Sequence, residues 1–254
     1  MEKVIDLVNR QILIVGASSG IGKETAVRLS RIGAKVILTA RREDKLREVA
    51  SLIEGEGHHF YAIDVNDPES IQRTVARMGE ECGPVDGLLY TAGIGGTYPI
   101  SVLTQEKLLS VMKTNFCGFI EVVRQVCRKK RYNEGMKIVA ISSVAASCGD
   151  KAHTAYSASK AAIEGAVRCL AIELAEKKIN INAVAPGMTA TEMFNRFAEI
   201  RGADSDALNK IYGRQYLGII QPEQVAKAII FLLSPASDYI TGTVLHVDAG
   251  YCSN

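Results

Sequence analysis

Two residues with acid–base chemistry, Tyr156 and Lys160, stand four positions apart, and Ser143 precedes the tyrosine by thirteen. In a helix, a spacing of four places two side chains on one face. Ser143 follows residues 138–141, an apolar run that predicts a buried strand. A tyrosine–lysine pair of this spacing also occurs by chance in roughly every second chain of such composition, usually on a solvated helix face. The surrounding residues must therefore decide whether this pair has a chemical role.

The chemistry that these groups support is proton transfer coupled to hydride transfer. A phenol with a pKa near 10 is a poor acid at pH 7, but an ammonium group about 4 Å away contributes roughly 4 kcal/mol at an effective dielectric constant near 20. We expect Lys160 to lower the pKa of Tyr156 by about three units in this way. Tyr156 then exchanges a proton with a ketone or alcohol oxygen, Ser143 hydrogen-bonds that oxygen, and a nicotinamide carries the hydride.

Asn115 is the least specific member of this group, because it lies within a predicted helix over residues 104–130. It is a candidate for holding a water chain that supplies the proton again after each turnover. The alternative is a purely local role, since an asparagine inside a helix commonly bonds to nearby backbone.

A glycine-rich turn follows the first predicted strand and precedes a predicted helix. The unpaired N–H groups and the positive dipole end of a helix N-terminus favour a diphosphate at such a turn. Gly16 permits the sharp turn, Gly20 the close approach of the backbone to a ligand, and Gly22 close packing of helix on sheet. The spacing G-x-x-x-G-x-G departs from the commoner G-x-G-x-x-G, so an ordinary strand–helix turn is the alternative. The predicted cofactor contacts here are Gly16, Ser18, Ser19, Gly20, Ile21 and Gly22.

The end of the second predicted strand indicates which dinucleotide binds. An acidic residue at this place accepts the ribose 2′-hydroxyl of NAD, whereas an arginine accommodates the 2′-phosphate of NADP. Here the chain has Arg41 and Arg42 and no carboxylate. Two arginines that open a helix oppose its dipole, a cost that disappears when a phosphate lies between them. We therefore predict NADP(H) as the preferred cofactor, with NAD(H) possible and Arg41 as the leading contact; the alternative is that both arginines are solvated.

Short apolar runs alternate with helical patterns along the chain. The predicted strands are residues 12–15, 36–38, 58–63, 88–90, 138–141, 179–184 and 244–247, and the predicted helices cover about 21–32, 43–54, 68–80, 104–130, 155–177 and 222–233. Strands that alternate with helices pair in parallel through right-handed crossovers. We therefore predict an α/β fold, a doubly wound Rossmann-type three-layer sandwich with a parallel sheet of about seven strands, in a single domain over residues 1–254.

Residues 188–218 carry no strand signal and form too long a stretch for an idle connection in a compact domain. We interpret them as a substrate lid. A helical stretch at about 190–201 contains Met193, Phe194, Phe197 and Ile200, which suit an apolar substrate. The alternative is that these side chains pack the lid onto the body of the protein.

The composition excludes several classes of protein. The chain has 254 residues, of which 47% are hydrophobic and 23% charged, values that exclude collagen-like, disordered and coiled-coil chains. Thirty Lys and Arg against 28 Asp and Glu leave a charge of +2, too small for general attraction to nucleic acid or an anionic membrane. We expect no signal peptide, no membrane helix and no metal site. Six cysteines without a C-x-x-C pair are expected to be free thiols in a reducing cytoplasm.

Together these residues resemble the short-chain dehydrogenase/reductase family over essentially the entire chain. The glycine turn resembles the cofactor turn of that family, and Asn115, Ser143, Tyr156 and Lys160 resemble its catalytic tetrad. Further matching segments are Asp64 and Val65 on the adenine side, Thr91, Ala92 and Gly93 at a strand end, Pro186, Gly187, Thr189 and Thr191 at the nicotinamide carboxamide, and 240–242 with 247–250 at the last strand. The chain departs from the family at Val15, where Thr is usual, at Tyr90 and Thr91, where paired Asn is usual, and at Ala249, where Gly is usual.

The resemblance implies an NAD(P)-dependent oxidoreductase acting on CH–OH groups, in which Lys160 also binds the nicotinamide ribose. It implies a homotetramer built through residues 104–130 and 155–177. The length and the C-terminal residues are most similar to those of 3-oxoacyl-(acyl-carrier-protein) reductases, which points to fatty acid biosynthesis. Relatives with the same motifs reduce sugars, steroids, quinones and small ketones, so the substrate stays open.

Two further alternatives are a catalytically silent dinucleotide-binding regulatory protein and an alcohol dehydrogenase working oxidatively with NAD. The intact Ser143, Tyr156 and Lys160 argue against the first, and Arg41 argues against the second.

Four basic residues are candidate contacts for an acidic acyl carrier protein, should one deliver the substrate. They are Arg128, Lys129, Arg131 and Lys177. Two more residues, Cys148 and His153, are expected to line the substrate mouth because they lie between Ser143 and Tyr156. A nucleophilic cysteine needs an activating base, and the sequence identifies none for Cys148, so we assign it no catalytic role.

Overall fold

The computed structural model describes residues 5–201 and 213–253. Within them, seven strands form one sheet, and eight α-helices connect or cover these strands. The strands are β1 (Gln11–Val15), β2 (Lys35–Ala40), β3 (His59–Ala62), β4 (Val85–Tyr90), β5 (Tyr132–Ile141), β6 (Asn180–Pro186) and β7 (Val244–Val247). The helices are α1 (Gly20–Arg31), α2 (Glu43–Ala50), α3 (Pro68–Glu81), α4 (Gln105–Met112), α5 (Gly118–Val126), α6 (Thr154–Ala175), α7 (Glu192–Arg201) and α8 (Pro222–Leu233).

The sheet has the order β3-β2-β1-β4-β5-β6-β7, and every pair of neighbouring strands is parallel. The chain winds outward from β1 in one direction and from β4 in the other, so the two strands flank a crevice at their carboxyl ends. Val15, at the end of β1, is level with Thr39 on β2 and Tyr90 on β4. The predicted doubly wound α/β architecture is therefore confirmed.

Alternation along the strands creates one apolar core on each face of the sheet. On β1, Leu13 and Val15 pack in the core with α3, α5 and α6, whereas Ile12 and Ile14 pack in the core with α1, α2 and α8. All four side chains are buried. Because successive side chains of a strand point to opposite faces, one apolar run supplies both cores.

The predicted single helix over residues 104–130 is wrong in its detail. The helical path is divided into α4, a π-helical turn at Lys113–Cys117, and α5, which ends at Val126. A π turn inserts one residue into the helical repeat and rotates the following residues, a feature that hydrophobic periodicity does not show. Because α5 ends at Val126, the basic residues 128–131 lie in the turn before β5 and not in a helix. The side chain of Arg131 donates to the carbonyl of Gln125.

The segment predicted as a lid is described in part. Helix α7 forms within it, as the apolar pattern predicts, and Thr189 pairs with Ile220 in an isolated parallel bridge that joins the two ends of the segment. Residues 202–212, and the side chains of Phe197 and Ile200, lie outside the described part of the chain. None of the described helices is long and apolar enough to cross a membrane.

Candidate active site

The structure brings the four predicted catalytic residues together at the carboxyl ends of β4 and β5. Ser143 lies two residues after the end of β5, and its hydroxyl is close enough to the Tyr156 hydroxyl, on the first turn of α6, to influence its pKa. Lys160, one turn further along α6, places its Nζ atom 5.7 Å from the centre of the Tyr156 ring. A Cβ atom built on Gly93 would lie 3.3 Å from Asn115 Oδ1 and 3.6 Å from Lys160 Nζ, so all four residues border one space.

Local backbone structure holds Ser143 toward that space. Its backbone is extended (φ −169°), and its Oγ accepts a hydrogen bond of 3.2 Å from the N–H of Ala145 at the start of a short 3-10 helix, Val144–Ala146. A serine at such an N-cap has a restricted side-chain rotamer. The fold itself thereby holds the hydroxyl near Tyr156.

Asn115 is the central residue of the π turn and is fully buried. Its Oδ1 accepts from the N–H of Ile94 at 2.8 Å, and its Nδ2 donates to the Ile94 carbonyl and to Ser159 Oγ, each at 3.0 Å. The amide therefore connects the segment after β4 to α6 over long sequence distances. The alternative of a purely local backbone role is wrong, and a part in a water chain stays a prediction.

Sequence reasoning missed the residue that supports this turn, Tyr90. Its side chain is 1% exposed, and its hydroxyl donates to the carbonyl of Thr114 at 2.7 Å. A Cβ atom on Gly118 would lie 2.7 Å from the same hydroxyl, so the glycine leaves the room that the phenol occupies. The sequence contained one signal for this role. Tyr90 stands where the resembled family usually has asparagine, so the hydrogen bonds at this strand end were expected to differ.

The titration properties differ from those expected. Burial lowers the pKa of Lys160 to about 8, and its Nζ donates to the carbonyl of Ile141 at 2.7 Å. Burial raises the pKa of Tyr156, and the nearby Ser143 hydroxyl opposes that rise. The expected lowering of the Tyr156 pKa by Lys160 is therefore wrong for this structure, because desolvation of the phenol outweighs the other influences and the ammonium is directed to a carbonyl.

The glycine turn has the geometry of an anion cradle. Gly16 has a φ of +96°, and a Cβ atom there would lie 2.6 Å from the backbone N of Ala92. A Cβ atom on Gly22 would lie 2.3 Å from the carbonyl oxygen of Gly16, a contact that only glycine avoids. Ser19 at the N-cap of α1 makes no side-chain capping bond, and the first turn contains no acidic residue. These features fit a dinucleotide diphosphate, because the N–H groups stay available.

Thr189 and Thr191 come to the same turn from the other side of the crevice. The methyl carbon of Thr191 lies 3.3 Å from the position of a Cβ atom on Gly20. The hydroxyl of Thr189 donates to the carbonyl of Gly187 at 3.0 Å, and that of Thr191 donates to the carbonyl of Thr189 at 3.3 Å. The segment after Pro186 is therefore ordered against the cradle, as a nicotinamide-side contact requires.

Among the remaining cofactor candidates, Arg41 and Arg42 differ from Asp64 in what their side chains contact. Arg41 and Arg42 follow β2, are exposed, and form no ion pair with a carboxylate of the described residues. Asp64, after β3, uses Oδ1 to accept from the N–H of Asn66 at 2.9 Å. The guanidinium groups are thus available to a phosphate, whereas the Asp64 carboxylate shapes a turn beside the buried Val65.

A further residue missed by the sequence reasoning is Gln215. It is 2% exposed, its Oε1 accepts from the N–H of Met188, and its Nε2 donates to the carbonyls of Met188 and Gly218 at 3.2 and 3.0 Å. It thereby joins both ends of residues 188–218. No motif marks a lone glutamine, so only the fold reveals its place.

The surface beside Ser143 is what we call the substrate mouth. It is formed by an apolar cluster of Val144, Cys148, Met188, Tyr251 and Cys252. His153 lies next to it: its Nδ1 is 3.2 Å from Asp150 Oδ2, and its ring centre is 6.2 Å from that of Tyr156. The expected positions of Cys148 and His153 near the catalytic candidates are therefore seen.

Comparison with known proteins identifies the family. The profile of a family described as enoyl-(acyl carrier protein) reductase matches residues 16–252. The chain belongs to the short-chain dehydrogenase/reductase family. As a member, it is an NAD(P)-dependent oxidoreductase, which confirms the reaction class that the sequence predicts.

Relatives of similar identity carry different substrate names. Carbonyl reductase family member 4 of Danio rerio is 33% identical, with 96% of this chain and 98% of the relative covered. A 3-oxoacyl-(acyl-carrier-protein) reductase of Vibrio harveyi is 32% identical, with 97% and 98% covered. L-xylulose reductase of Caenorhabditis elegans is 34% identical, with 98% of each covered.

Solved structures are similar in fold over almost the whole chain. A dehydrogenase/reductase from Sinorhizobium meliloti 1021 has a TM-score of 0.88 and 31% identity, with 98% of this chain and 97% of that chain covered. A single-residue variant of actinorhodin polyketide ketoreductase with NADPH has a TM-score of 0.86 and 32% identity, with 97% and 98% covered.

Proposed function

We propose that the protein reduces a ketone to a secondary alcohol with NADPH, and that the ketone is a 3-oxoacyl thioester. The observation that carries the reaction is the convergence of Ser143, Tyr156 and Lys160, with Lys160 Nζ 5.7 Å from the centre of the Tyr156 ring. A bound nicotinamide supplies the hydride. Ser143 binds the carbonyl oxygen and Tyr156 donates the proton to it.

Lys160 and Asn115 have supporting roles in this proposal. Burial keeps the pKa of Lys160 near 8, so its amine gains and loses a proton close to neutral pH. Lys160 is proposed to bind the nicotinamide ribose and to help restore the Tyr156 proton. Asn115 holds the segment at Ile94 against α6 and so fixes one side of the space that Lys160 borders.

The preference for NADPH is supported by the end of β2. Arg41 and Arg42 are exposed there without a carboxylate partner among the described residues. A 2′-phosphate between two guanidinium groups forms charge-assisted hydrogen bonds. A ketoreductase of similar fold was solved with NADPH. NAD(H) is proposed as the weaker cofactor.

An acyl carrier protein is the proposed partner. The basic residues proposed to bind it lie far from Tyr156 within one chain. Residues 128–131 precede β5, whereas Ser143 follows it. Tyr132 and Ala140 on β5 pair with Val85 and Tyr90, which are five steps apart on β4, so the two ends of β5 lie roughly 17 Å apart. Lys177 belongs to the same basic group, since its charge influences the nearby Cys127. Within one chain this basic group lies at the amino ends of the strands, whereas Tyr156 lies at their carboxyl ends.

An antiparallel pairing of two chains would remove that separation. Helices α4, α5 and α6 run opposite to the strands, and Leu109 and Ile172 on this layer are 55% and 80% exposed. Pairing through these helices, as in the proposed homotetramer, carries the basic end of one chain toward the active site of the next.

Two further assignments complete the proposal. The chain is proposed to act as one dinucleotide-binding domain, with residues 188–218 as its substrate lid, supported by the bonds of Gln215 to both ends of that segment. A cytoplasmic location stays a prediction from the cysteine usage.

The relatives favour a second substrate class as well. Carbonyl and L-xylulose reductases are as similar to this chain as the 3-oxoacyl reductase is. A sugar or small ketone is therefore the alternative substrate.

The test is oxidation of NADPH and of NADH by the purified protein, offered a 3-oxoacyl thioester, L-xylulose and a small aromatic ketone in parallel. We expect rapid NADPH oxidation with the thioester, a loss of at least about a thousandfold in Tyr156→Phe, and a raised KM for NADPH alone in Arg41→Ala. Equal use of NADH and NADPH would contradict the cofactor assignment. Turnover with another ketone would replace the thioester, and an active Tyr156→Phe protein would contradict the catalytic assignment.

A further inference from the structure

Two thiols meet at the substrate mouth. Cys148 and Cys252 are 104 positions apart in the sequence, and their Sγ atoms are 3.3 Å apart. Both residues are free thiols and partly buried. A disulfide bond has an S–S distance of about 2.05 Å, so the two sulfurs need to approach by only about 1.2 Å to form one.

Each thiol belongs to a different segment that borders the active site. The N–H of Cys148 donates to the carbonyl of Val144, the residue after Ser143, at 2.8 Å. The N–H of Cys252 donates to Asp248 Oδ2 at 2.9 Å. A Cβ atom on Gly187 would lie 3.1 Å from the Cα of Asp248, so the C-terminal turn packs against the proposed nicotinamide segment. A bond between the thiols would therefore connect both sides of the mouth.

The charges around the two sulfurs differ. Nη2 of Arg214 lies 3.8 Å from Cys148 Sγ, and its guanidinium carbon lies 4.2 Å from the centre of the Tyr251 ring. A neighbouring cation stabilises a thiolate and makes a cysteine more reactive. Burial, together with the Cys148 and Asp248 side chains, raises the pKa of the Cys252 thiol. Cys148, whose sulfur lies beside the guanidinium group, is thus placed as the attacking residue, and Cys252 as the second thiol.

We propose that Cys148 and Cys252 are an oxidation site for hydroperoxides, which closes to a disulfide across the substrate mouth. The Cys148 thiolate attacks one peroxide oxygen; the S–O bond forms, the O–O bond breaks, and the alkoxide or hydroxide that leaves takes up the proton lost from Cys148. Cys252 then attacks the sulfur of the sulfenic acid; the S–S bond forms, the S–O bond breaks, and the leaving hydroxide takes the Cys252 proton to give water. Two electrons pass from the sulfurs to the peroxide.

Other cysteines of the same chain provide an internal control. Cys117 and Cys169 are exposed, and neither contacts a second sulfur among the described residues. Both lie on the helical layer through which the homotetramer is proposed to pair, so the comparison uses protein diluted to the single chain. There, if exposure alone governed oxidation, these two thiols would react first. If the pairing of sulfurs governs it, the 148–252 linkage forms first.

The experiment treats the full-length protein with hydrogen peroxide in steps and maps its peptides without reduction. We expect a linked pair of peptides containing Cys148 and Cys252, lighter by two hydrogens, before Cys117 or Cys169 changes. In Cys252→Ser, a 1,3-dicarbonyl probe should trap a sulfenic acid on Cys148, and in Cys148→Ser, Cys252 should stay unmodified. Cys169→Ser should form the linkage as the parent does. Earlier oxidation of Cys117 or Cys169, or linkage between chains without the 148–252 pair, would overturn the proposal.

Turnover is the second readout. In the fully bridged protein we expect kcat/KM for the carbonyl substrate to fall severalfold and to recover with dithiothreitol, whereas the turnover of Cys148→Ser should not respond to peroxide. Unchanged turnover after complete bridging would overturn the link between this site and the mouth. The peptide mapping requires no substrate, so its outcome is separate from that of the proposed ketone reduction.

Discussion

The β1–β2 side of the site is formed mainly by backbone, whereas the β5–β7 side is formed mainly by side chains. On the first side, neither Gly16 nor Gly22 has room for a Cβ atom, and the uncapped N–H groups of α1 face the crevice. On the second side, the mouth is bounded by Val144, Met188 and Tyr251. A substitution in the backbone cradle therefore removes the binding geometry, whereas one in the mouth changes the shape offered to the substrate.

This difference agrees with the range of substrates named among the relatives. Carbonyl, 3-oxoacyl and L-xylulose reductases resemble this chain to a similar degree, although their names give different substrates. A dinucleotide diphosphate requires a close approach of the backbone, whichever substrate is reduced. The choice of substrate, in contrast, depends on the side chains that border the site, which one fold can present in many forms.

The largest expected effect tests the backbone cradle. In Gly22→Ala, the new Cβ would lie 2.3 Å from the Gly16 carbonyl oxygen, and backbone atoms must move to relieve that contact. We expect the free energy of unfolding to fall by about 3 kcal/mol or more, with loss of NADPH binding. Denaturant unfolding and a fluorescence titration with NADPH measure the two quantities.

The matched control is a glycine on the other side of the site. Gly149 is exposed, and a Cβ there meets no atom within 4 Å. Gly149→Ala should change the free energy of unfolding by no more than about 0.5 kcal/mol and should leave NADPH binding intact. Similar losses in both variants would remove the contrast between the two sides.

Next in size is the effect of pH on Lys160, which lies between the two sides. Folding lowers its pKa from the usual 10.5 to about 8, so between these values the unfolded chain binds more protons than the folded chain. The stability contributed by this site therefore rises with pH across that window, by up to about 3 kcal/mol. The measurement is the difference in unfolding free energy between the parent protein and Lys160→Met, from about pH 7.5 to pH 10, without cofactor.

Other groups that titrate in this range cancel in that difference. A difference that stays flat, or falls as the pH rises, would mean that the buried amine keeps its charge in the folded protein.

A smaller effect is expected at Tyr90. Tyr90→Phe leaves the buried Thr114 carbonyl without its donor, which should lower the free energy of unfolding by about 1–3 kcal/mol. Because that carbonyl precedes Asn115 in the π turn, kcat should also fall, with KM for NADPH little changed. The control is Tyr61→Phe on β3, which loses a hydrogen bond to Glu81 far from the site. Tyr61→Phe should lower the free energy of unfolding and leave kcat unchanged. An equal loss of kcat in Tyr61→Phe would show that the loss in Tyr90→Phe reflects lower stability and not the position of Asn115.

The backbone side could be predicted from the sequence because its chemistry is encoded in residue spacing. Strand, glycine turn and helix are local patterns, and Gly16, Gly20 and Gly22 are required by backbone geometry alone. Tyr156, Lys160 and Ser143 were also predictable, because one helix and one strand end fix their relative positions.

The rest depends on contacts that no local pattern contains. Asn115 is set by a π turn and by bonds to Ile94 and Ser159, which are 21 and 44 positions away. The pKa of Tyr156 follows from burial, which spacing does not give. Gln215 and the thiol pair of Cys148 and Cys252 come together only in the folded chain.

The smallest effect on overall stability is expected at Gln215, and it distinguishes the two sides by kinetics. Gln215→Leu removes the bonds to the N–H and carbonyl of Met188 and to the carbonyl of Gly218. Because water reaches a loop that opens locally, the global free energy of unfolding should change by less than about 1 kcal/mol, while amide exchange at 213–220 accelerates. KM for the carbonyl substrate should rise severalfold, and the Kd of NADPH should stay unchanged. Gln224→Leu, which loses a comparable bond to the Gln221 N–H at the start of α8, should leave both constants unchanged. A rise in the Kd of NADPH at least as large as that in KM would show that the backbone cradle and the substrate mouth depend on each other.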